Sequence, residues 1–325
     1  MKMRLLKSVM ALTTAVIMLV GCGNANTGNQ NNTNNTNHNG NATDQMMTVT
    51  DVKGNVEIPA HPQRIVDLSG NSDILSILGY KVVGTANSDA YDYTKFPSYL
   101  EETLNGATIL GYSMQDTMDV EAIMDLDPDL IVISTVQEKM YDQLSAIAPT
   151  VMIQSNALDW EEDVKAFARV FHKEQVAEAW LETYEAAAEA AGDAIKKQYG
   201  EDTTYLSFLA SGGQFFVFDG AGFGDVLYED MDLEKPEGMP VQTDISLPVV
   251  TYEGLAAINA DYIFCIATKE DLAVLEQNAI WNSLPAVKNG RVVVLDASPY
   301  FNQGYSPIGR SLLVNEIGEM LNGTK

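Results

Sequence analysis

Residues 119–134 read DVEAIMDLDPDLIVIS. Val120, Ile123, Met124 and Leu126 recur at helical spacing, Asp127-Pro128-Asp129 makes a turn, and Leu130 to Ile133 is an unbroken apolar run of strand length. Residues 251–267, TYEGLAAINADYIFCIA, repeat the unit: Glu253, Leu255, Ile258, Asp261 and Ile263 keep the spacing of Glu121, Ile123, Leu126, Asp129 and Ile131. A helix-turn-strand unit met twice in one chain implies two lobes of one α/β type. The leading glutamates allow two readings: favourable charge at the positive end of each helix dipole, or a pair of surface carboxylates with a shared task.

The flanking sequence extends both lobes. Residues 48–58 alternate as two short strands around Lys53-Gly54-Asn55, and Pro59 and Pro62 interrupt before the buried strand Arg64 to Leu68. Ser69-Gly70-Asn71-Ser72 should cap a helix over Asp73 to Leu78, followed by a strand at Lys81 to Gly84. A helix near Lys139 to Ile147 and a strand at Thr150 to Ile153 complete a parallel sheet with helices on both faces. From Trp160 to Gly200 the chain is rich in helix formers and free of proline. A second β/α series follows: strands at Thr204 to Leu209, Gln214 to Phe218 and Arg291 to Leu295, with helices after Gly224, around Asp271 to Glu276 and over Arg310 to Leu321. The expected fold is α/β: two Rossmann-like lobes, residues 47–172 and 200–325, joined by a single long connecting helix over 173–199.

The N-terminus predicts the compartment. Lys2, Arg4 and Lys7 precede an apolar run from Val9 to Val20 that is too short for a secure membrane span, so residues 1–21 read as a signal peptide. Leu19-Val20-Gly21-Cys22 resembles the bacterial lipobox, which makes Cys22 the acylated mature N-terminus. Two or more acyl chains anchor durably where one does not. Residues 22–46 then form an Asn-rich tether with too little apolar surface to order itself. The localisation expected is the extracellular face of a cell membrane, of Gram-positive type. Net charge is −26, with 19 basic and 45 acidic residues, a balance that opposes nucleic acid and anionic lipid surfaces. The second cysteine, Cys265, lies in an apolar strand and reads as a small buried hydrophobe.

The residues also carry a family resemblance. TDVKGNVEIPAHPQRIVDLS (50–69), DVEAIMDLDPDLIVIS, YDQLSAIAPTV (141–151), the Trp160 to Tyr184 segment, FVFDGAGFGDVLYEDMDLEKP (216–236) and IWNSLPAVKNGRVVVLD (280–296) are similar, in the same order, to blocks of bacterial iron-siderophore-binding lipoproteins. These are the class III periplasmic binding proteins of iron-uptake ABC importers. The resemblance implies a monomer that hands a ferric siderophore to a permease dimer and its ATPase. It implies no cofactor and no metal ligated by the protein, because the siderophore already saturates the iron. It also assigns Glu121 and Glu253 as the docking carboxylates for permease arginines, one on each lobe.

The resemblance further implies a ligand cleft between the two lobes, and loops at the carboxyl ends of strands line a cleft of that kind. They nominate Asn71, Tyr91, Tyr112, Met114 and Gln137 from the first lobe, and Phe216, Phe223, Tyr300, Phe301 and Tyr305 from the second. Phe216 suits a core plug as well as a cleft wall. Relatives that bind anionic catecholates usually carry a basic residue in the block that here reads Gly220-Ala221-Gly222-Phe223-Gly224, so a hydroxamate siderophore is the expected ligand. Arg310 is the remaining basic candidate, or it simply begins the last helix.

Heme is the alternative, with Met114 or Met118 as a ligand, although no histidine follows Tyr199; a catecholate or other siderophore is a second. The three histidines, His38, His61 and His172, are scattered, which disfavours a zinc or manganese centre. No hydrolase elbow, P-loop or HExxH motif is present, so a tethered enzyme is not expected.

Overall fold

Arg64 and Asp129 show how the first lobe starts. Asp129, in the turn of the opening motif, accepts the backbone N–H groups of Gln63 (2.6 Å) and Arg64 (2.8 Å). The Arg64 guanidinium donates back to the carbonyls of Leu126 and Asp127. A helix end and a strand start are thus tied together by groups that would otherwise be unsatisfied. In the second lobe Asp261 does the same for Thr204 N (3.0 Å). The shared aspartate of the repeat is therefore a structural clamp in both lobes.

The computed structural model describes residues 45–156 and 158–324. The signal segment 1–21, Cys22 and the tether up to residue 44 lie outside the described residues. No helix among the described residues is long and apolar enough to cross a membrane. An antiparallel hairpin, β1 (Met46–Asp51) and β2 (Gly54–Pro59), leads into the first lobe. That lobe contains β3 (Ile65–Asp67), α1 (Ser72–Ile77), β4 (Val82–Asn87), β5 (Thr108–Tyr112), α2 (Val120–Asp125), β6 (Leu130–Ser134), α3 (Tyr141–Ser145) and β7 (Thr150–Ile153). Its sheet is parallel, in the order β5-β4-β3-β6-β7.

Two helices, α4 (Trp160–Val170) and α5 (Glu174–Tyr199), then lead to β8 (Tyr205–Ser211), β9 (Gln214–Val217), α6 (Gly222–Asp225), β10 (Val249–Val250), α7 (Tyr252–Ala257) and β11 (Tyr262–Ala267). The chain ends with α8 (Lys269–Leu275), α9 (Pro285–Lys288), β12 (Val292–Asp296), α10 (Ala297–Gln303) and α11 (Pro307–Asn322). The second sheet runs β10-β9-β8-β11-β12. Both sheets place their first strand centrally, build outward on one side, and return to the other. The α2–β6 and α7–β11 units occupy the same step of this path, which is why they share a sequence pattern. The lobes differ at β9: it is antiparallel to β8, so the second sheet is mixed.

The 26-residue helix α5 spans about 39 Å and serves both cores. Its Ala177 and Leu181 pack with Val164 and Phe167 of α4 in the first lobe. One turn further on, Tyr184, Ala188 and Ile195 pack with Tyr205, Phe264 and α11 in the second. Gly192 permits the closest approach: a Cβ there would stand 1.9 Å from the Met231 carbonyl oxygen. Gly192→Ala should therefore lower the urea-unfolding free energy by about 1–3 kcal/mol, as overpacking does. Gly318→Ala, on α11 with open space around it, should raise it by up to about 1 kcal/mol through helix propensity alone.

Candidate functional site

The loops that leave β4 and β12 bring aromatic side chains from opposite lobes together. Tyr91, from the first lobe, meets Phe301 of α10 edge-on at a centroid distance of 5.6 Å. Tyr93 stacks on Tyr112 at 5.7 Å. Phe301 packs in turn on the buried Phe218 ring (6.1 Å) and on Tyr305 (6.3 Å). Tyr300 is half-buried beside them on the same helix. Close backbone packing sets this wall in place: a Cβ on Gly304 would meet the Gly222 carbonyl carbon at 2.4 Å, and one on Gly222 would meet the Tyr305 ring at 2.8 Å.

Electrostatics around these rings is acidic. Burial first, and then neighbouring carboxylates, push the phenols upward: Asp271 and Asp89 act on Tyr91, Asp89 on Tyr112, and Glu316 and Asp296 on Tyr300. Tyr305 is pushed up to about 12 by burial and then Asp225. The phenols remain neutral hydrogen-bond donors at physiological pH. Lysines on the surrounding loops are paired with aspartates: Lys95 with Asp92 (2.8 Å), Lys139 with Asp116 (2.6 Å) and Lys235 with Asp219 (2.8 Å). Lys269 stands in the first turn of α8 beside Glu270 and Asp271.

The other nominated residues divide. Asn71 is half-buried at the start of α1, where its side chain reaches back to Ser69 and does not cap the helix. Met114 is 62% exposed in the loop after β5. Phe216 is half-buried against the core beneath α5 and α11.

Three nominated residues are buried and already partnered within the protein. Gln137 is fully buried and works as a latch: its side chain accepts from Ser134 N (3.1 Å) and donates to the Ser113 carbonyl (2.6 Å), holding two cleft loops together. Phe223 is buried against Phe264 at 5.1 Å. Since β9 is antiparallel, the segment after it leaves from the far end of the strand and turns into the core. Arg310 is 1% exposed. It donates to Asp225 (2.6 Å), Asp230 (2.7 Å) and the Gly304 carbonyl (2.8 Å), and lies over the Trp160 ring at 4.6 Å. Tyr184 also donates its phenol proton to Asp230. Burial pushes both aspartates up against the pull of the guanidinium, and the two carboxylates in turn hold Arg310 charged. Arg310 is thus a structural cation beneath the aromatic wall.

Glu121 and Glu253 are exposed at equivalent positions, each the second residue of its helix. The caps before them are also equivalent: Asp119 accepts from Ala122 N, and Thr251 from Gly254 N. Neither glutamate takes part in an ion pair among the described residues. The Glu253 carboxyl is lowered by its own backbone N–H and then by Thr251.

Sequence reasoning missed a set of polar bonds between the lobes: Ser298 to Asp89 (2.6 Å), Ala90 N to Asn302 (2.9 Å) and Ser306 to Asp73 (2.5 Å). The four-residue spacing of Ser298, Asn302 and Ser306 is visible in the sequence, but their partners are more than 200 residues away in each case. A separate hollow of about 570 Å³ lies between the β1–β2 hairpin and α4, lined in part by Thr50, Met152, Arg169 and His172. It is open, lies outside the interlobe cleft, and holds none of the nominated residues. No cluster of metal-ligating side chains occurs among the described residues.

The two-lobed α/β fold with an aromatic surface between its lobes is that of a solute-binding protein. The chain belongs to the periplasmic binding protein family, whose profile matches residues 71–299. It is 33% identical over 305 residues to the iron(3+)-hydroxamate-binding protein FhuD of Bacillus subtilis (strain 168), covering 88% of each chain. To the iron(3+)-hydroxamate-binding protein YxeB of the same organism it is 32% identical over 290 residues, covering 85% of each. Among solved structures, one matches with a TM-score of 0.71 and 30% identity, covering 84% of this chain and 99% of that one. It is described as a FhuD fold-family periplasmic binding protein component of a Fep/Fec-like ferrichrome ABC transporter from Bacillus subtilis.

Asp73 supplies a pH test of the interlobe contact. Burial pushes its carboxyl up to about 6, from 3.8, with the Ser306 hydrogen bond opposing. The folded chain then binds a proton more tightly than the unfolded chain, so stability falls as pH rises between about 4 and 6. Thermal or urea unfolding at pH 4 and pH 7 should differ by a component on the order of 2–3 kcal/mol that is absent in Asp73→Asn.

Proposed function

We propose that this chain is the solute-binding lipoprotein of an ABC importer, which captures an iron(III)-siderophore of hydroxamate type between its lobes and delivers it to a permease dimer and its ATPase. The observation that carries this reading is the cleft itself: aromatic walls and phenol donors beside carboxylates, with Lys95, Lys139 and Lys235 already paired to aspartates. A ferric tris-catecholate is trianionic and would meet Asp89 and Asp271 without compensation. A neutral or cationic ferric trihydroxamate presents apolar linkers to the rings and oxygen acceptors to the phenols. Relatives named for iron(3+)-hydroxamates support the same class.

The iron is cargo, already coordinated by its chelator, so the chain needs no metal ligands or cofactor of its own and acts as a carrier. Cys22 is its lipid anchor, holding a monomeric domain at the extracellular face of the membrane. Glu121 and Glu253 dock one lobe each onto permease arginines, where charge-assisted, bidentate bonds give register as well as attraction.

Quenching of tryptophan fluorescence in the purified chain should be saturable with ferrioxamine or ferrichrome and absent with ferric enterobactin. The appearance of a Soret band on adding heme, with no response to hydroxamates, would overturn the assignment. Phe301→Ala should weaken hydroxamate binding by roughly tenfold, the effect of truncating a buried aromatic contact. Glu121→Ala and Glu253→Ala should leave that affinity unchanged while reducing iron uptake by whole cells. Normal uptake in both would remove the docking role.

A further inference from the structure

All three hydrogen bonds between the lobes, among the described residues, come from one short stretch of the second lobe. Ser298, Asn302 and Ser306 lie four residues apart and reach Asp89, the Ala90 N–H and Asp73 in turn. No ion pair crosses between the lobes among the described residues. The same stretch carries Tyr300, Phe301 and Tyr305, so the polar ladder and the aromatic wall share one backbone.

Each partner is itself held. Asp89 is buried, and its other oxygen accepts from Tyr91 N (2.8 Å) and Asp92 N (3.2 Å), which shapes the loop that presents Tyr91 and Tyr93. Asp73 is buried in α1, and Ser306 caps α11 through Gly309 N (3.1 Å) while donating to Asp73. Burial falls along the ladder: Asp73 and Ser306 are enclosed, Ser298 and Asn302 are half-buried, and Ala90 is exposed. The inner rung is enclosed at both ends, whereas each outer rung has a half-buried end on the second lobe.

We propose that Asp73 and Asp89 are positioning residues for ligand capture: by holding Ser306 and Ser298 across the gap, they set the distance between the Tyr300–Tyr305 wall and the Tyr91–Tyr112 wall. They do this without touching the ligand themselves. This rests on the cleft being the binding site. Hydrogen bonds to a charged acceptor are the stronger kind and tolerate little displacement, so the ladder defines a narrow range of cleft widths. A gap so defined favours ligands of one size, and it acts mainly on how long a bound ligand is retained.

The test removes rungs from the second-lobe side, which leaves Asp89 free to keep its own loop folded. In the full-length chain, Ser298→Ala combined with Asn302→Ala should accelerate dissociation of ferrioxamine or ferrichrome by roughly tenfold with little change in association rate. Spin labels on the exposed positions Glu102→Cys and Asn289→Cys, one on each lobe, should report a longer and broader interlobe distance in that variant. Phe301→Ala should weaken binding with the distance distribution unchanged, separating lost contact from lost positioning. An unchanged distance distribution in the double variant overturns the proposal, as does a widened one with wild-type dissociation. A wild-type chain that binds no ferric hydroxamate would sink the ligand class, and the label distances alone would then decide the ladder.

Discussion

A single helix lies under two cores. In α5 the apolar face that begins with Ala177 and Leu181 belongs to the first lobe, and the face from Tyr184 to Ile195 belongs to the second. The changeover is marked by Trp180 stacked on Tyr184 at 5.6 Å, Trp160 edge-on to Tyr184 at 5.0 Å, and the Arg310 guanidinium over Trp160. A linker of loop residues would leave the lobes free to separate. A helix whose side chains are committed to both cores makes separation cost buried apolar area on at least one side. Everything that depends on the spacing of the lobes, the cleft width and the distance between Glu121 and Glu253 included, depends on this packing.

Arg310 illustrates how a charge can serve a site it never reaches. It joins α11 to Asp225 and Asp230, and its third contact is the Gly304 carbonyl at the end of the aromatic helix. Removal of a buried cation with two carboxylate partners leaves those partners uncompensated, a loss of about 3–5 kcal/mol for comparable pairs. The rings of Tyr300, Phe301 and Tyr305 therefore stand on an ion-paired foundation, while the surface they present is apolar and surrounded by acid.

The two lobes are variations on one path through a five-stranded sheet, and their difference is informative. A parallel β4 sends its following loop, with Asp89, Tyr91 and Tyr93, to the cleft side. An antiparallel β9 sends its following segment into the core, where Phe223 packs on Phe264. The second lobe consequently draws its cleft wall from α10, after β12. The wall is thus built asymmetrically, from a loop on one side and a helix on the other.

The strands, the repeated helix-turn-strand unit and the long helix were legible in the sequence because periodicity and turn chemistry are local. Leu130 to Ile133 is apolar whatever lies around it, and Pro128 cannot continue the helix that precedes it. The roles of Gln137, Phe223 and Arg310 were not legible, although each residue type suited a ligand cleft. Their side chains are claimed by distant partners: the Ser113 carbonyl, the Phe264 ring, and the Asp225 and Asp230 carboxylates. The same holds for Asp73 and Asp89, ordinary helix and loop aspartates until Ser306 and Ser298 arrive from the other lobe. Sequence alone determined what each segment is; only the tertiary structure decided what each polar side chain faces, because burial and pairing are properties of neighbours that the chain brings from far away.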